Sequence, residues 1–413
     1  MQIRSRGSSS EIRCDIEYSK LVDVASRIIK VMKCIVIGAG AWGLPTAAEM
    51  ARRGHQVTLV DRHGPLNTLS SSSGPTRMWR LADPDPRTVR LSIRALEAMR
   101  RLQSRTATPV FLQRGLLWRD GVSLPAVGSA LREAGVSHTV VPAEHVGAYF
   151  PGLRPDGRDA VWQPEAGVVL AQASLQAQLH SFMAHGGSTD FGTAVLGLDI
   201  DGVGVRVDFA DGRRVSADVV VVAAGTGAAR LLEASDIRLG LRPVLEQVVH
   251  FGDPARPNLT DNHPCLFDGP VDDAPGIYAM PTPGVGFKVG LDKPLRDLVE
   301  NDHNREPDAE RTKIILERVG RDMSSVTPTV LDAQVCSWTD SPDGKFIIDA
   351  AHDGIVWATG DSGAGFKYSA LMGDVLADLA EGLPPDPDIA ALGLSRFSSR
   401  IPSTHSGVHV MGR

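Results

Sequence analysis

The sequence predicts a mixed α/β protein, in which a discontinuous nucleotide-binding domain is joined to a second, mainly antiparallel β-sheet domain. Three short apolar runs predict buried parallel strands that end in small-residue turns, and they lie at Cys34–Ile37, Val219–Ala223 and Ile355–Thr359. Apolar residues at every second position in Val203–Phe209 are typical of a half-buried antiparallel strand. The parallel strands are therefore interrupted by inserted material.

Length and composition limit the possible functions. The chain has 413 residues, of which 42% are hydrophobic and 22% charged, so it can form two domains with sizeable cores. The net charge of -6 argues against a nucleic-acid partner, because phosphate neutralisation needs a basic surface. No signal peptide or membrane segment is expected. Four scattered cysteines without metal-ligand spacing predict neither a metal site nor disulfides, and they favour a cytoplasmic location.

A βαβ unit opens the ordered pattern. The strand Cys34–Ile37 runs into a helix predicted over Ala41–Arg53, and Gly54 ends this helix as a C′ glycine should. A second strand is predicted over Val57–Val60. Together these elements form the unit of about 30 residues that parallel sheets use.

A glycine motif lies between this first strand and its helix. Gly38-Ala39-Gly40-Ala41-Trp42-Gly43 matches G-x-G-x-x-G, and Asp61 follows a little over 20 residues later. Gly38 permits a tight turn, Gly40 lets backbone amides approach a pyrophosphate, and Gly43 lets the helix pack closely on the strand. Asp61 would accept a hydrogen bond from a ribose hydroxyl. The motif predicts a Rossmann-like dinucleotide site, but it does not separate NAD from FAD.

The other elements follow from periodicity and turn residues. Residues 64–90 are predicted as a loop, Asp211-Gly212 as a hairpin turn, and residues 241–300 as β-rich. Further strands are expected within Phe111–Arg119 and Val161–Leu170, and further helices over Val89–Leu102, Leu175–His185, Glu306–Met323 and Ser369–Glu381.

Two later segments favour FAD over NAD. Residues 218–232 and 354–369 each read as a strand, a small-residue turn and a helix. An NAD domain rarely returns to its cofactor near the C-terminus, whereas a flavin extends further and can meet a second helix start. Backbone amides after Gly360 could stabilise negative charge on the flavin ring.

Five stretches in the same order resemble the monomeric sarcosine oxidase branch of the D-amino-acid-oxidase superfamily of FAD-dependent enzymes. The resemblance runs from about Lys33 to Leu383. It implies an FAD-binding domain beside an antiparallel substrate domain. It also implies oxidation of a secondary or cyclic amino acid to an imine, with reduction of O2 to H2O2. The stretches are the glycine motif, Gly74–Arg80, Tyr278–Gly290, Val335–Asp349 and Ser362–Lys367.

The resemblance assigns substrate contacts to three residues. Arg80 and Lys367 match the family's carboxylate-binding cations, and Tyr278 matches an active-site tyrosine. A guanidinium fork and a lysine point charge can together clamp a carboxylate.

The resemblance places three further residues beside the flavin. Arg77 matches an arginine beside the flavin, Lys288 the oxygen-activating lysine, and Cys336 the cysteine bonded covalently to the flavin 8-methyl carbon. Lys288 is expected as a partly buried ammonium that stabilises superoxide. Further cofactor contacts are expected from Ala41, Trp42, Arg62, Ser70, Thr76, Val195, Gly225, Gly363, Gly365, Phe366 and Lys367.

The sequence departs from the sarcosine-oxidising relatives where they carry histidines. Ser72 and Ser73, Ala364 and Asp292 stand at those positions. Sarcosine itself is therefore doubtful, and Ala364 favours a larger or cyclic amine. Asp292 is predicted to bind or deprotonate a ring nitrogen, as in a piperideine-2-carboxylate or pipecolate-type oxidase that yields a picolinate.

The predicted domains are discontinuous. Residues 1–31 form an N-terminal extension with a possible short helix at Tyr18–Lys30, and residues 386–413 form a tail. The FAD-binding domain is predicted from 32–110, 155–235 and 335–385, and the substrate domain from 111–154 and 236–334. A monomer or homodimer is expected.

Three rival functions remain open from the sequence. The first is a flavin dehydrogenase with an acceptor other than oxygen. The second is an NAD(P)-dependent dehydrogenase, and the third is a flavin-binding partner without turnover.

Overall fold

The computed structural model describes residues 30–200, 202, 204–299, 302–351 and 353–397. Its strands are Lys33–Ile37 (β1), Gln56–Asp61 (β2), Thr76–Trp79 (β3), Phe111–Gln113 (β4), Leu116–Arg119 (β5), Thr139–Val141 (β6), Ala160–Gln163 (β7), Gly167–Leu170 (β8), Ser188–Phe191 (β9), Val195–Ile200 (β10), Val205–Phe209 (β11), Arg214–Ala217 (β12), Val219–Val222 (β13), Arg242–Phe251 (β14), Cys265–Asp268 (β15), Ile277–Thr282 (β16), Gly286–Leu291 (β17), Arg296–Asp297 (β18), Val330–Asp340 (β19), Ile347–Ala350 (β20) and Ile355–Thr359 (β21). Its α-helices are Gly43–Arg52 (α1), Pro86–Thr106 (α2), Leu124–Glu133 (α3), Val146–Tyr149 (α4), Ala171–Ala184 (α5), Ala228–Glu233 (α6), Ala309–Asp322 (α7), Ser369–Ala380 (α8) and Pro387–Ala390 (α9).

A six-stranded sheet unites the three apolar runs. Its strand order is β20-β21-β13-β1-β2-β9, and every pair except β20–β21 is parallel. Cys34 pairs with Val219 on one side and Val57 on the other. Helix α1 packs against α5 and α8, so the first helix lies beside the last long one. The predicted α/β sheet, assembled from distant segments, is confirmed.

A larger, mainly antiparallel sheet forms the second layer. Its order is β18-β14-β17-β16-β15-β5-β7-β6, with β19 paired to β14, and only β15 and β5 run parallel to each other. Strand β7 belongs to this sheet, although the predicted boundary at residue 155 groups it with the FAD-binding segments. Strand β19 likewise begins before the predicted boundary at residue 335. The division at these boundaries stays a prediction.

The segment 64–90 is not all loop, which corrects the prediction. Strand β3 pairs with β8, and its end residues Thr76 and Trp79 are buried. Helix α2 begins at Pro86, where the Asp85 carboxylate accepts a hydrogen bond from the Arg87 amide at 2.9 Å. Serine, glycine and proline around this short strand hide it, because its pairing partner lies about 90 residues away in the sequence.

Two small features lie outside the large sheets. Strands β10, β11 and β12 form a meander, with Gly212 at a φ of 86° in the predicted hairpin turn. Strands β3, β8 and β4 form another three-stranded sheet. No helix in the described part of the chain is both long and apolar enough to cross a membrane.

The predicted tail starts too early. Within residues 386–397, helix α9 is capped by the Asp386 carboxylate, and Ile389 and Leu392 are buried. Arg90 of α2 holds Asp388 at 2.6 Å, so this segment is part of the fold and the prediction is wrong there. Residues 1–29 and 398–413 lie outside the described residues, as does the predicted helix Tyr18–Lys30 apart from Lys30.

Candidate active site

A cavity of about 720 Å³ runs from the turn after β1 to the turn after β21 and along one face of the large sheet. Ligand sites typically enclose about 300–1,000 Å³. All but three of the predicted site residues line this cavity, and the exceptions are Gly43, Thr76 and Asp292. The lining residues are Gly38, Gly40, Ala41, Trp42, Asp61, Arg62, Ser70, Arg77, Arg80, Val195, Gly225, Tyr278, Lys288, Cys336, Gly363, Gly365, Phe366 and Lys367.

The glycine motif forms one end of the cavity. Gly38 has a φ of 109°, and a Cβ there would lie 2.3 Å from the Ala223 carbonyl oxygen. A Cβ on Gly43 would lie 1.8 Å from the Gly38 oxygen, so this glycine serves helix packing as predicted from the motif. The Asp61 carboxylate accepts the Ala39 amide at 2.8 Å and fixes the turn. The start of α1 therefore faces the cavity with its positive dipole end.

The turn after β21 closes onto this motif. Gly363 has a φ of 76°, which allows the chain to bend into the short 3-10 helix Gly365–Tyr368. The Trp42 indole nitrogen donates to the Gly365 carbonyl at 2.9 Å. Ala364, Gly365, Phe366 and Lys367 all line the cavity, so the two ends of the chain meet at one ligand site.

A serine loop covers the start of α1. Ser72 Oγ accepts a hydrogen bond from the Ala41 amide at 2.8 Å. A serine hydroxyl therefore binds an amide at the start of α1, at a position where relatives are expected to carry a histidine. The Arg77 guanidinium donates to the carbonyls of Ser71 and Thr76 at 2.8 Å and to that of Ser73. Arg77 thereby fixes the loop beside the cavity.

Arg80 and Lys367 come from distant segments and converge on the cavity. The Arg80 guanidinium lies 4.6 Å from the Trp118 ring centroid and donates to the Ala82 carbonyl and to Asp83, whose oxygen is 3.2 Å away. Lys367 Nζ lies 5.0 Å from the Tyr368 ring centroid. Both side chains are more than nine-tenths buried, so an anion that enters the cavity meets two poorly hydrated cations.

The electrostatics of this pair depend on burial and on Asp83. Burial and the Arg80 charge together lower the pKa of Lys367 to about 7, although the Asp83 charge opposes both. Burial also raises the pKa of Asp83, against the influence of Arg80 and Lys367. The three groups therefore form one cluster of interacting charges.

One face of the large sheet forms the cavity wall. Residues paired directly across strands place their side chains on the same face. In one such row Tyr278 pairs with Gly290, and in another Lys288 pairs with Met280 on one side and His250 on the other. The Tyr278 ring lies over Gly290, where a Cβ would be 2.4 Å from its Cζ. A glycine on β17 therefore makes room for the predicted active-site tyrosine.

Lys288 is buried and donates from Nζ to the Thr76 carbonyl. Burial lowers the pKa of Lys288 well below its ordinary value, and the neighbouring Arg77 guanidinium lowers it further. The sequence predicted a partly buried ammonium here, and the structure favours loss of its proton more than for an exposed lysine. An anion brought close would raise its pKa again.

Cys336 lines the cavity on β19, opposite Glu246 of β14. Burial raises the pKa of the Cys336 thiol, and the Arg77 charge opposes this. The other described cysteines, Cys34 and Cys265, are buried and do not line the cavity.

Two further predicted residues lie behind the cavity or away from it. The Thr76 hydroxyl is 2.8 Å from that of Thr282, and the Thr76 carbonyl receives Arg77 and Lys288. Asp292 follows β17 and its amide donates to the Gly276 carbonyl at 2.8 Å, so the structure does not bring it to the cavity.

Three buried polar residues near the site were missed by sequence reasoning. Asp83 lies against Arg80, and Glu246 and His250 share the cavity-facing side of β14. Both His250 ring nitrogens lack a hydrogen-bond partner among the described residues, and Glu246 pairs with Arg311 at 3.0 Å. A signal was present for β14, because polar residues four apart in a strand lie on one face. Nothing local marked Asp83 as buried.

Residues 33–379 match the family described as FAD dependent oxidoreductase. The chain belongs to this family. Monomeric sarcosine oxidase of Bacillus sp. (strain NS-129) is 28% identical over 378 residues, which are 88% of this chain and 96% of that protein. N-methyl-L-tryptophan oxidase of Citrobacter koseri is 26% identical over 381 residues, covering 88% and 98%. The predicted resemblance is confirmed.

Solved structures show the same fold. NikD, an unusual amino acid oxidase essential for nikkomycin biosynthesis, superposes with a TM-score of 0.77 at 24% identity and covers 88% of this chain and 97% of its own. Glycine oxidase from Geobacillus kaustophilus gives a TM-score of 0.75 at 20% identity, covering 88% and 98%. At such identities the likeness concerns the fold alone.

The residues present fit FAD. The glycine cradle and the start of α1 suit a pyrophosphate, and Asp61 lies at the end of β2 where a ribose would follow. The cavity continues from there to Gly363 and Lys367, which gives room for a ring system beyond the pyrophosphate. A cofactor that ended near β2 would leave this part of the cavity empty, so the length of the cavity favours FAD.

Proposed function

We propose that the protein is an FAD-dependent oxidase that converts a secondary or cyclic amino acid to an imine and reduces O2 to H2O2. One observation carries the proposal. Two buried basic side chains, Arg80 after β3 and Lys367 after β21, line one cavity together with the turn of the glycine motif, and the Arg80 charge acts on Lys367. Such a pair suits the carboxylate of an amino acid.

Binding and orientation are the work of the clamp. Arg80 offers a planar fork and Lys367 a point charge, so a carboxylate between them has one favoured orientation. The Tyr278 hydroxyl belongs to the same cavity wall and can hydrogen-bond the substrate there. Holding the substrate in one orientation lowers the entropic part of the barrier.

Bound FAD would accept the two electrons of the substrate C–H bond, while the nitrogen lone pair forms the new C=N bond, and would pass those electrons to oxygen. The substrate loses two electrons and two protons to become an imine, and O2 gains both to become H2O2. Lys288 contributes a buried amine whose proton affinity rises when negative charge develops nearby. We propose it as the group that favours oxygen reduction.

The cavity lining favours a substrate larger than sarcosine. Its lining includes Ser72, Ser73 and Ala364, which stand at positions where the sarcosine-oxidising relatives are expected to carry histidines. Removing ring volume leaves space for an N-substituent or a ring. The variant of this proposal with a picolinate product needs Asp292 as a base, and the cavity lining does not include that residue.

We also propose that Cys336 binds the flavin covalently. Among the described cysteines Cys336 alone lines the cavity, and Arg77 favours its thiolate. Acid precipitation tests this directly: the pellet of the wild type should stay yellow, and that of Cys336→Ala should be colourless. Flavin released to the supernatant from the wild type would rule out the bond.

The function itself is tested by an anaerobic screen. Purified yellow protein is mixed with N-methyl, cyclic and primary amino acids, and flavin bleaching is followed before air is admitted and H2O2 is measured. We expect bleaching by secondary or cyclic amino acids and stoichiometric H2O2 on aeration. Bleaching without H2O2 would favour a dehydrogenase, and no bleaching by any amine would contradict amine oxidation.

A further inference from the structure

We propose that Asp83 is a positioning residue of the carboxylate clamp, which holds Arg80 in place and supplies the negative charge that balances the two clamp cations. The inference rests on the proposed function, because it assumes that Arg80 and Lys367 bind a substrate carboxylate. Asp83 does not line the cavity, so it acts on the ligand only through these two cations.

The backbone fixes Asp83 under Arg80. One carboxylate oxygen lies 3.2 Å from Arg80 Nη1, and the other accepts the Asp85 amide at 3.1 Å. Asp85 in turn caps α2, so the loop that connects β3 to α2 has little freedom at this point. Asp83 is only 3% exposed. A carboxylate held in this way limits the positions open to the guanidinium.

Arg80 is held on three sides. Its guanidinium stacks on Trp118, and Nη1 donates to Ala82 and to Asp83. No hydrogen-bond partner of its Nε and Nη2 is found among the described residues, and Arg80 lines the cavity. The side bound to Asp83 is therefore structural, and the opposite side is available to a ligand.

The charges around Lys367 are few. Arg80 and Asp83 are the described groups whose charges shift its pKa, and the Tyr368 ring lies 5.0 Å from Nζ. The next carboxylate along the loop, Asp85, acts on Asp83 and pairs with Lys345. Asp83 is thus the carboxylate that offsets both the burial of Lys367 and the repulsion from Arg80.

The pH dependence follows from these charges. Burial lowers the pKa of Lys367 from 10.5 to about 7, so its positive charge is present below this pH and lost as the pH rises through it. Removing the Asp83 charge lowers that pKa further. Carboxylate affinity should then start to fall at a lower pH. A bound carboxylate has the opposite effect on Lys367, which couples binding to proton uptake.

The test is a binding titration of the FAD-loaded enzyme with propionate, a carboxylate without an amine. The change in flavin absorbance gives the Kd from pH 6 to pH 9. We expect wild-type affinity to fall above about pH 7. In Asp83→Asn, which keeps size and one hydrogen-bond acceptor, the fall should begin about one pH unit lower. Asp85→Asn is the matched control, and its onset should equal that of the wild type.

The outcomes separate the two proposals. A Kd raised by the same factor at every pH in Asp83→Asn, with an unchanged onset, would mean that Asp83 has a structural role only and would overturn the inference. No propionate binding by the wild type at any pH would instead contradict the clamp, and with it the proposed function. Lys367→Met should bind propionate weakly, and its affinity should not fall with rising pH. An onset retained in that variant would contradict the inference even if Asp83→Asn failed to fold.

Discussion

Lys367 and Lys288 are buried lysines in the same cavity, and their surroundings differ. Lys367 is 6% exposed and has Asp83 close enough to shift its pKa, whereas Lys288 is 3% exposed and has Arg77 as its charged neighbour. In the described part of the chain no carboxylate forms an ion pair with Lys288. Burial lowers both pKa values, that of Lys367 to about 7 and that of Lys288 well below its ordinary value. The neighbouring charges then differ, because Asp83 opposes the effect of burial on Lys367 while Arg77 adds to it on Lys288.

This difference fits a division of work. A lysine that keeps its charge near neutral pH can bind a carboxylate before any chemistry occurs. A lysine whose pKa is lowered well below its ordinary value gains proton affinity when an anion forms beside it, which suits the reduction of oxygen. His250, next to Lys288 in the sheet, has its pKa lowered to about 3 by burial and, to a smaller extent, by the Lys288 charge.

The largest expected effect comes from removing the lysine without a carboxylate. Lys288→Met should slow reoxidation of the reduced enzyme by O2 about 100- to 1,000-fold, as loss of one electrostatic stabiliser does. Anaerobic reduction by substrate should change little. Stopped-flow absorbance measures both steps separately. The comparison fails if substrate reduction slows as much as reoxidation.

Removing a clamp cation should give the reverse pattern. Arg80→Met should weaken substrate or propionate binding about 30- to 100-fold, since one partner of a buried charge pair is lost. Reoxidation of the reduced enzyme should stay within about twofold, because Arg80 is not needed there. The readouts are the Kd from anaerobic titration and the reoxidation rate. Equal losses in binding and in reoxidation would show that the clamp and the surroundings of Lys288 do not act separately.

A smaller effect is expected from crowding the strand that carries Lys288. In Gly290→Ala the new Cβ would lie 2.4 Å from Tyr278 Cζ, so the ring must move. The free energy of unfolding should fall by about 1–3 kcal/mol. Gly197→Ala is the control, because nothing lies within 4 Å of its added Cβ. Urea unfolding compares the two, and equal losses would contradict the packing of Tyr278.

The smallest effect concerns the pH dependence of stability. His250 has its pKa lowered from 6.5 to about 3, so it stays neutral in the fold while the unfolded chain binds a proton below pH 6.5. The wild type therefore loses stability as the pH falls from 6.5 towards 3. In His250→Phe the loss between pH 7 and pH 5 should be smaller by about 1–2 kcal/mol. Urea unfolding at both pH values measures this, and identical losses would contradict a buried neutral imidazole.

The sequence predicted what local pattern encodes. The glycine motif, the three apolar strands and the turn at Gly363 to Lys367 are short segments whose residue types determine the backbone, and they meet as predicted. Strand β3 was missed because four residues carry too little periodicity, and its partner β8 is far along the chain. Its pairing is visible only in the folded sheet.

The buried charges were harder to predict. Asp83 belongs to a loop whose composition indicates exposure, and its burial follows from how β3 and α2 place Arg80 against Trp118. The lowered pKa of Lys288 could not be predicted from its alternation with Phe287 and Val289, because it depends on burial in the folded sheet and on Arg77 reaching the same cavity. Asp292 was proposed because it stands where the relatives carry a histidine, yet the end of β17 places it outside the cavity lining.

The central claim is that burial lowers the pKa values of two lysines in one cavity and that a carboxylate opposes this at only one of them. Nuclear magnetic resonance of the flavin-free protein with 13Cε-labelled lysines measures this directly, with signals assigned through Lys288→Met and Lys367→Met. The account predicts that Lys367 titrates near pH 7 and that Lys288 also titrates well below the ordinary value for a lysine. Titration of both lysines near the ordinary value of 10.5 would contradict it.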